Sequence, residues 1–321
     1  MNILNKIYNL KNHNSPSYQL KKLKERHKRY CFTDLKCNSK EQYRASITRL
    51  YHTIEKGLAY ENYRAGFGAD NVNKLIETLS QFSRKYNIDE FCYRTALDCL
   101  YKYIAKNKEY GLQDDCLNER IACLPGTPNS LGGVIEYGVN TLARSDENTY
   151  DYEQFVKSRH SIRHFNSTPV KIDDLKEAIN LARYTPSACN RQGWRTRIIV
   201  DRDIIRGILE NQNGNRGFGQ EIDKLLVITA DLRCFQINRE LFQPFIDGGM
   251  YAQSVLNALH YKEIGSVPLS AALLTSQEKI VRNLISMNEA EVLIMFIGVG
   301  TLPDESYTTR SERYNHDIEI I

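Results

Sequence analysis

Residues 159–163 read Arg-His-Ser-Ile-Arg, and residues 186–192 read Pro-Ser-Ala-Cys-Asn-Arg-Gln. The first stretch suits a phosphate monoester, because guanidinium groups donate paired, charge-assisted hydrogen bonds to its oxygens. The second stretch is small and rich in amides, a composition that suits the edge of a planar heterocycle. A third stretch, residues 311–313 (Ser-Glu-Arg), adds one cation near the C-terminus. A phosphate at one end and a flat, polar-edged ring at the other describe flavin mononucleotide (FMN).

In this order, these stretches resemble motifs of the FMN-dependent nitroreductase family, over about the second half of the chain. Residues 158–165 are similar to the family's N-terminal phosphate motif. Residues 185–194 are similar to its A-P-S-x-x-N-x-Q-P-W motif, with Gly193 in the usual proline place, which predicts a more flexible loop. Residues 247–269 are similar to the central helix and the turn after it, and residues 292–313 to the last strand and C-terminal arginine.

The resemblance assigns FMN contacts to three sets of residues. The phosphate and ribityl chain would be held by Arg159, His160, Ser161, Arg163 and Arg313. The ring and ribityl chain would be contacted, in the family often from the second subunit, by Pro186, Ser187, Asn190 and Gln192. A turn over one face of the ring would be formed by Pro268, Leu269 and Ser270.

The resemblance implies an oxidoreductase that carries two electrons, as hydride, from NADH or NADPH through FMN to an acceptor. The flavin supplies the redox chemistry, so we nominate no catalytic side chain. The sequence identifies neither the nucleotide nor the acceptor, and a link to surface polysaccharide biosynthesis is one hypothesis. Two alternatives stay open. One is a flavin enzyme of dehydrogenation or flavin breakdown, and the other is a non-catalytic flavin-fold protein that serves as a binding or scaffold module.

The composition limits the partners and the cellular compartment that we expect for this function. The chain has 321 residues and a formal charge of +4, which is too mild to indicate a nucleic-acid partner. Residues 1–15 lack the apolar centre of a signal peptide, and the longest apolar run, residues 292–299, is too short to span a bilayer. Eight cysteines without metal-site spacing favour free thiols in a reducing cytoplasm.

Hydrophobic periodicity predicts two unlike halves, which we place at residues 1–150 and 151–321, with the boundary in residues 144–149. The first half is mainly helical, with apolar stripes at residues 43–58, 72–79 and 97–104. The second half alternates helices and strands, and we expect an α+β fold. The predicted elements are a helix at 175–182 capped by Asp173 or Asp174, strands at 197–200, 225–229 and 291–299, and a helix at 252–259. The resemblance adds a nitroreductase-like sandwich, a small central sheet flanked by helices, in a homodimer with FMN at the interface.

Two features of the first half carry open alternatives. His52 and Glu55 would share one helix face and could bind a substrate or a metal, although a local hydrogen bond is the simpler interpretation. Gly57 would end that helix, and residues 66–68 would form a turn. The basic stretch at residues 21–29 favours a solvated helix face over a site for an acidic polymer or a membrane surface.

Overall fold

The computed structural model describes residues 16–33, 36–59, 63–134, 152–237, 239–304, 308 and 318–321. Within these ranges it contains ten α-helices and one four-stranded sheet, a mixed α+β fold as predicted. The helices are α1 (Pro16–Tyr30), α2 (Lys40–Leu58), α3 (Ala69–Ser83), α4 (Phe91–Glu109), α5 (Asp115–Ala122), α6 (Tyr152–Ser158), α7 (Ile172–Ala182), α8 (Arg202–Glu210), α9 (Gln243–Tyr261) and α10 (Thr275–Leu284). The strands are β1 (Trp194–Ile199), β2 (Lys224–Asp231), β3 (Ile264–Ser270) and β4 (Glu291–Thr301).

The three predicted N-terminal helices are confirmed as α2, α3 and α4. The hydroxyl of Ser39 caps α2 by accepting a hydrogen bond from the Gln42 amide. The apolar stripes meet in one core, in which Ile47, Leu75 and Leu100 are fully buried. Burial of these faces, rather than helix propensity alone, stabilises the helices.

The sheet runs in the order β1-β2-β4-β3, and all three strand pairs are antiparallel. Side chains alternate between the two faces of β2. Leu226 and Ile228 pack with α7 and α9 on one face, whereas Leu225 and Val227 pack with α8 and α10 on the other. Because helices cover both faces, β2 is buried along its whole length. The predicted small sheet between helices is therefore present.

Two details of the sequence prediction are wrong. Neither Asp173 nor Asp174 caps α7, since both lie in its first turn, where carboxylates favour the positive end of the helix dipole. The expected turn at Pro268, Leu269 and Ser270 is the end of strand β3, paired with residues 295–297 of β4. Proline is tolerated there because β3 is an edge strand.

The N-terminal helices pack directly against the half of the chain that holds the sheet. The Phe32 amide donates to the Phe235 carbonyl, and the Ile237 amide donates to the Phe32 carbonyl, both at 3.1 Å. Phe32 and Ala45 share a buried cluster with Leu232. The expected boundary at residues 144–149 lies outside the described residues, so the division into domains stays a prediction.

The basic stretch at residues 21–29 belongs to α1, and contacts within the chain account for part of its charge. Lys22 and Arg26 approach Glu278 at 3.6 and 3.8 Å, and the Arg26 guanidinium donates to the Glu289 carbonyl. The contacts of α1 with α10 therefore cover part of the helix face that was predicted to be solvated. No helix in the described ranges combines the length and the apolarity needed to cross a membrane.

Candidate functional site

The predicted phosphate segment, residues 159–163, is irregular backbone held along the outer edge of β3. The Ile162 amide donates to the Ser266 carbonyl at 2.9 Å, and the Asn166 amide donates to the Thr301 carbonyl at 2.9 Å. Between these bonds, Phe165 packs over Gly300, where a Cβ atom would lie 2.5 Å from the ring. The segment is therefore bonded to β3 through Ile162, and the chain just after it is bonded to the end of β4, while the charged side chains of the segment are half-buried.

Positively charged groups of this segment lie near His260, at the C-terminal end of α9. The pKa of His260 is lowered by burial first, then by the charges of Arg159 and His160. The Ser158 hydroxyl lies 2.9 Å from Nε2 of His260, which ties α6 to the same place. Burial disfavours a charge of either sign at His260, whereas the two neighbouring positive groups disfavour a further proton and favour an anion.

The other predicted phosphate contacts are partly described. Arg163 donates to the Ser161 carbonyl at 3.3 Å, and the Thr308 hydroxyl donates to the same carbonyl at 3.0 Å. Arg313 lies outside the described residues. Thr308, which precedes Arg313 by five residues, does lie beside the segment.

The predicted ring-contact loop, residues 186–192, has an unusual backbone. Cys189, Asn190 and Gln192 adopt left-handed φ values of 52°, 54° and 51°. Each such conformation of a non-glycine residue costs on the order of 1–3 kcal/mol, and strain of this kind clusters at functional sites. The Ser187 hydroxyl accepts from the Gln192 amide at 3.0 Å, which closes the loop on itself.

A buried ion pair holds this loop in shape. The Arg191 guanidinium donates to both carboxylate oxygens of Glu240, at 2.8 and 2.6 Å, and to the Ala188 carbonyl at 2.9 Å. Burial opposes the charge of Arg191, but the hydrogen bonds and charge of Glu240 outweigh it and raise the pKa of Arg191. The Ala188 amide donates to Asp247 of α9 at 3.1 Å. Burial raises the pKa of Asp247, and its hydrogen bonds oppose that rise.

Glycine is needed at position 193 for a steric reason that the sequence does not reveal. A Cβ atom there would lie 2.8 Å from the ring of Phe235 and 3.1 Å from Cβ of Cys234. The expectation that this glycine makes the loop more flexible stays a prediction, although Gly193 is buried in close contact. The Phe235 ring also lies 5.4 Å below the Arg191 guanidinium.

The three predicted sets do not all meet within one chain. The phosphate segment bonds to Ser266 of β3, and Ser270 lies four residues, about 13 Å, further along that strand. Leu269 is 3% exposed and belongs to the core, so its side chain does not face a ligand, whereas Ser270 is exposed. The ring-contact loop leads into β1, which is the opposite edge of the sheet. Three strand spacings, about 14 Å, separate the two edges.

Comparisons with known proteins identify this region. Residues 156–213, which include both the phosphate segment and the ring-contact loop, match the model of the Nitroreductase family. The C-terminal region contains a nitroreductase-family domain. A protein of Archaeoglobus fulgidus named "Putative NADH dehydrogenase/NAD(P)H nitroreductase" is 24% identical over 168 residues, 51% of this chain and 93% of that protein.

Solved structures overlap the same part of the chain. One from Parabacteroides distasonis, with the same name as the Archaeoglobus protein, covers 52% of this chain and 95% of its own at 21% identity, with a TM-score of 0.46. An FMN-dependent nitroreductase from Clostridium difficile R20291 covers 51% of this chain and 98% of its own at 17% identity, with a TM-score of 0.41. At TM-scores this low we draw no conclusion from these two structures.

Sequence reasoning missed three residues that shape the nitroreductase-family domain at this site. Arg191 stands inside the quoted motif, but its partner Glu240 is 49 residues away and no pattern links them. Asp247 was noted only as part of a resemblance, and its bond to the loop depends on how α9 packs. Such partners are set by tertiary contacts, so the sequence offers no signal for them.

A cleft of about 890 Å³ is lined by α8 and by residues 215–221. Glu221 on its rim accepts a hydrogen bond from the Phe165 amide at 3.2 Å and lies 3.3 Å from His164. Arg216 lines the cleft, while the amide of Asn215 donates to the Leu209 carbonyl at 2.7 Å and so supports the loop.

In the N-terminal half, His52 and Glu55 form a local contact within α2. His52 and Glu55 share one face of α2, and Nδ1 of His52 lies 3.2 Å from the Glu55 carboxylate, as the simpler interpretation predicts. Among the described residues, no three His, Cys, Asp or Glu side chains are placed to hold a metal. Gly57 does not end the helix but lies inside it beneath the Phe67 ring, since α2 continues to Leu58.

Proposed function

We propose that the protein is an FMN-dependent oxidoreductase of the nitroreductase type, which takes two electrons from NADH or NADPH and passes them to a small-molecule acceptor. The observation that carries this proposal is the positively charged segment 159–163, which a backbone hydrogen bond from Ile162 to Ser266 fixes at the edge of β3. The family match and the name of the Archaeoglobus relative support the reaction class. The polysaccharide link stays a prediction of the resemblance alone.

The donors present on this segment fit a phosphate monoester. Arg159, Ser161 and Arg163 would hold the phosphate and ribityl chain with Arg313, and His160 would add a donor. Each hydrogen bond to a charged group contributes roughly 1.5–3 kcal/mol, so several are needed to offset the burial of a dianion. Bound there, FMN would supply the electron transfer, while the protein binds, orients and shields the reacting groups.

We propose that the site is completed in a homodimer. In one chain the phosphate segment and the ring-contact loop lie at opposite edges of the sheet. Pro186, Ser187, Asn190 and Gln192 would therefore reach the ring bound by the partner. The N-terminal end of α9 offers an interface, because Phe242, Ile246 and Met250 recur every four residues and are 59%, 52% and 42% exposed. An apolar stripe of this kind marks an association surface.

We further propose that residues 151–321 form the FMN-binding domain and that residues 1–150 form a helical extension packed beside it. The contacts of Phe32 and Ala45 with the cluster around Leu232 support this arrangement. The eight cysteines stand as free thiols, which favours a reducing compartment such as the cytoplasm.

The visible spectrum of the purified protein tests the proposal. We expect a yellow protein whose flavin absorbance bleaches when NADH or NADPH is added without oxygen and returns when a quinone is added. A colourless protein that takes up no added FMN would refute the proposed site. A bound flavin that neither nucleotide reduces would favour the non-catalytic alternative.

A further inference from the structure

A polar cavity of about 220 Å³ lies between the N-terminal helices and the ring-contact loop. Its walls come from α2, from the start of α4, and from the chain that leads into β1. The side chains used below are Arg44, Thr48, Phe91, Asn190, Gln192 and Arg195. We propose that this cavity binds a carboxylate group of the acceptor, with Arg44 as its main contact. The inference rests on the proposed function, because it places the acceptor beside the loop that would contact the flavin ring.

The cavity shares its wall with the proposed ring contacts. Asn190 and Gln192 line it, and both are held in left-handed conformations by the closed loop. One face of α2 forms the opposite wall, since residues 41, 44, 45, 48 and 51 all recur on one side of a helix. A molecule in the cavity would therefore touch the N-terminal extension and the ring-contact loop at once.

The charged side chains that line the cavity are mostly cations. Among the described residues they are Arg44, Arg191, Arg195 and one carboxylate, Glu41. With the direct ion-pair partners of these four, which are Glu90, Glu240, Asp231 and Arg233, the described cations and carboxylates balance at four each. Lys40 also contacts Glu90, so Arg44 shares its carboxylate with a second cation.

Arg44 is the cation best placed to bind a ligand. Its guanidinium lies 3.9 Å from Glu90, whose carboxylate is also contacted by Lys40, and its side chain is 53% exposed. Arg191, by contrast, is fully buried in its pair with Glu240. Arg195 lies 3.3 Å from Asp231, which Arg233 contacts more closely at 2.8 Å. A planar guanidinium binds a carboxylate through two parallel hydrogen bonds.

The volume of the cavity suits a small acceptor rather than the nicotinamide nucleotide. Sites that enclose drug-sized ligands measure about 300–1,000 Å³, so a cavity of about 220 Å³ takes a small metabolite or one end of a larger one. Phe91, which is 61% exposed at the start of α4, adds an aromatic surface at the wall. A carboxylate on a small planar or unsaturated molecule matches this lining.

Two acceptors of equal shape test the proposal: 4-nitrobenzoate and its neutral amide, 4-nitrobenzamide. With FMN-loaded protein, we expect Arg44→Ala to lower kcat/KM for 4-nitrobenzoate by about tenfold or more and to leave the amide unchanged. Arg44→Lys should restore most of the loss. Arg84→Ala removes the same charge at the exposed end of α3 and should change neither acceptor. Equal losses for both acceptors, or none, would overturn the proposal. A loss in the kcat/KM of NADH or NADPH would instead assign the cavity to the donor.

Benzoate binding, measured by calorimetry, is a readout that needs no turnover. We expect wild type and Arg84→Ala to bind benzoate and Arg44→Ala to bind it about tenfold or more weakly. If benzoate binding depended on Arg44 but the protein took up no FMN, the carboxylate site would stand and the proposed function would be refuted. If flavin reduction were normal and benzoate bound equally well to wild type and to Arg44→Ala, only the carboxylate site would be refuted.

Discussion

Glu240→Gln should destabilise the protein and loosen the ring-contact loop. The side chain of Arg191 is 0% exposed and that of Glu240 is 17% exposed, and two hydrogen bonds of 2.8 and 2.6 Å join them. Glutamine keeps the shape of Glu240 but leaves the buried guanidinium without its countercharge. Breaking a buried pair in this way costs about 3–5 kcal/mol. Because the pair also holds the loop that contains the strained residues Cys189, Asn190 and Gln192, part of the loss should appear as disorder of that loop.

Equilibrium unfolding in urea measures this effect, with the FMN dissociation constant as a second readout. We expect a lower unfolding midpoint at an unchanged m-value, and weaker flavin binding. Glu289→Gln is the matched control, since Glu289 pairs with Arg29 at 3.8 Å where both side chains are mostly exposed. Exposed pairs contribute little, so the control should behave as wild type. If Glu240→Gln were as stable as Glu289→Gln, the buried pair would not be what holds the loop.

Arg159→Ala should release FMN, seen as loss of yellow colour on gel filtration with the circular dichroism spectrum intact. Arg183→Ala, at the exposed end of α7, should keep full flavin occupancy, and equal occupancy in both variants would contradict the phosphate site. The pKa of His260, lowered in the apoprotein, should rise when FMN is added, because a phosphate cancels the charge of Arg159 and His160. Nuclear magnetic resonance measures this, with His260→Gln to assign the signal, and an unchanged pKa would place the phosphate elsewhere. Met250→Asp should dissociate the proposed dimer in sedimentation velocity, whereas Leu131→Asp, on an exposed residue away from α9, should not. A monomeric wild type would refute the proposed interface.

The lowered pKa of His260 also sets a direction for stability against pH. A histidine whose pKa is lower in the folded state than its ordinary 6.5 takes up its proton more readily when unfolded. The unfolded state therefore gains protons first as the pH falls through that range, and the protein loses stability. Added FMN should reduce this acid sensitivity, because phosphate favours the protonated form of His260.

Local patterns carried most of the fold. Stripes such as Ile47 with Leu50 and Ile54 predicted α2, because one apolar face must be buried. The run at residues 225–229 predicted β2, since a strand covered on both faces is apolar throughout. The strand β3 was not predicted: Gly265, Ser266 and Pro268 are weak strand formers, and pairing with β4 decides their conformation.

The sequence nominates residues for the candidate site but does not give their geometry. It nominates Arg159 and Asn190 through their motifs, yet it could not place them at opposite edges of one sheet. Nor could it show that Arg191 is held by Glu240 or that Gly193 makes room for Phe235. Each of these facts depends on contacts between residues far apart in sequence, which local periodicity does not encode.

The positions of the two segments proposed to contact FMN connect the proposed dimer with the proposed function. A ligand bound along the edge of β3 meets the phosphate segment and Ser270 of its own chain. The ring-contact loop of that chain lies about 14 Å away across the sheet, so it suits a second ligand better than the first. In a dimer each loop would reach the partner's flavin and bring with it the α2 face that carries Arg44. The extension would then act on the partner's acceptor.

A dimer of one Arg44→Ala chain with one Arg159→Ala chain tests this arrangement. Its one flavin would be bound by the Arg44→Ala chain and would lie beside the intact Arg44 of the other chain. Such a mixed dimer should reduce 4-nitrobenzoate at one site with normal kcat/KM, whereas action within one chain predicts the defective value.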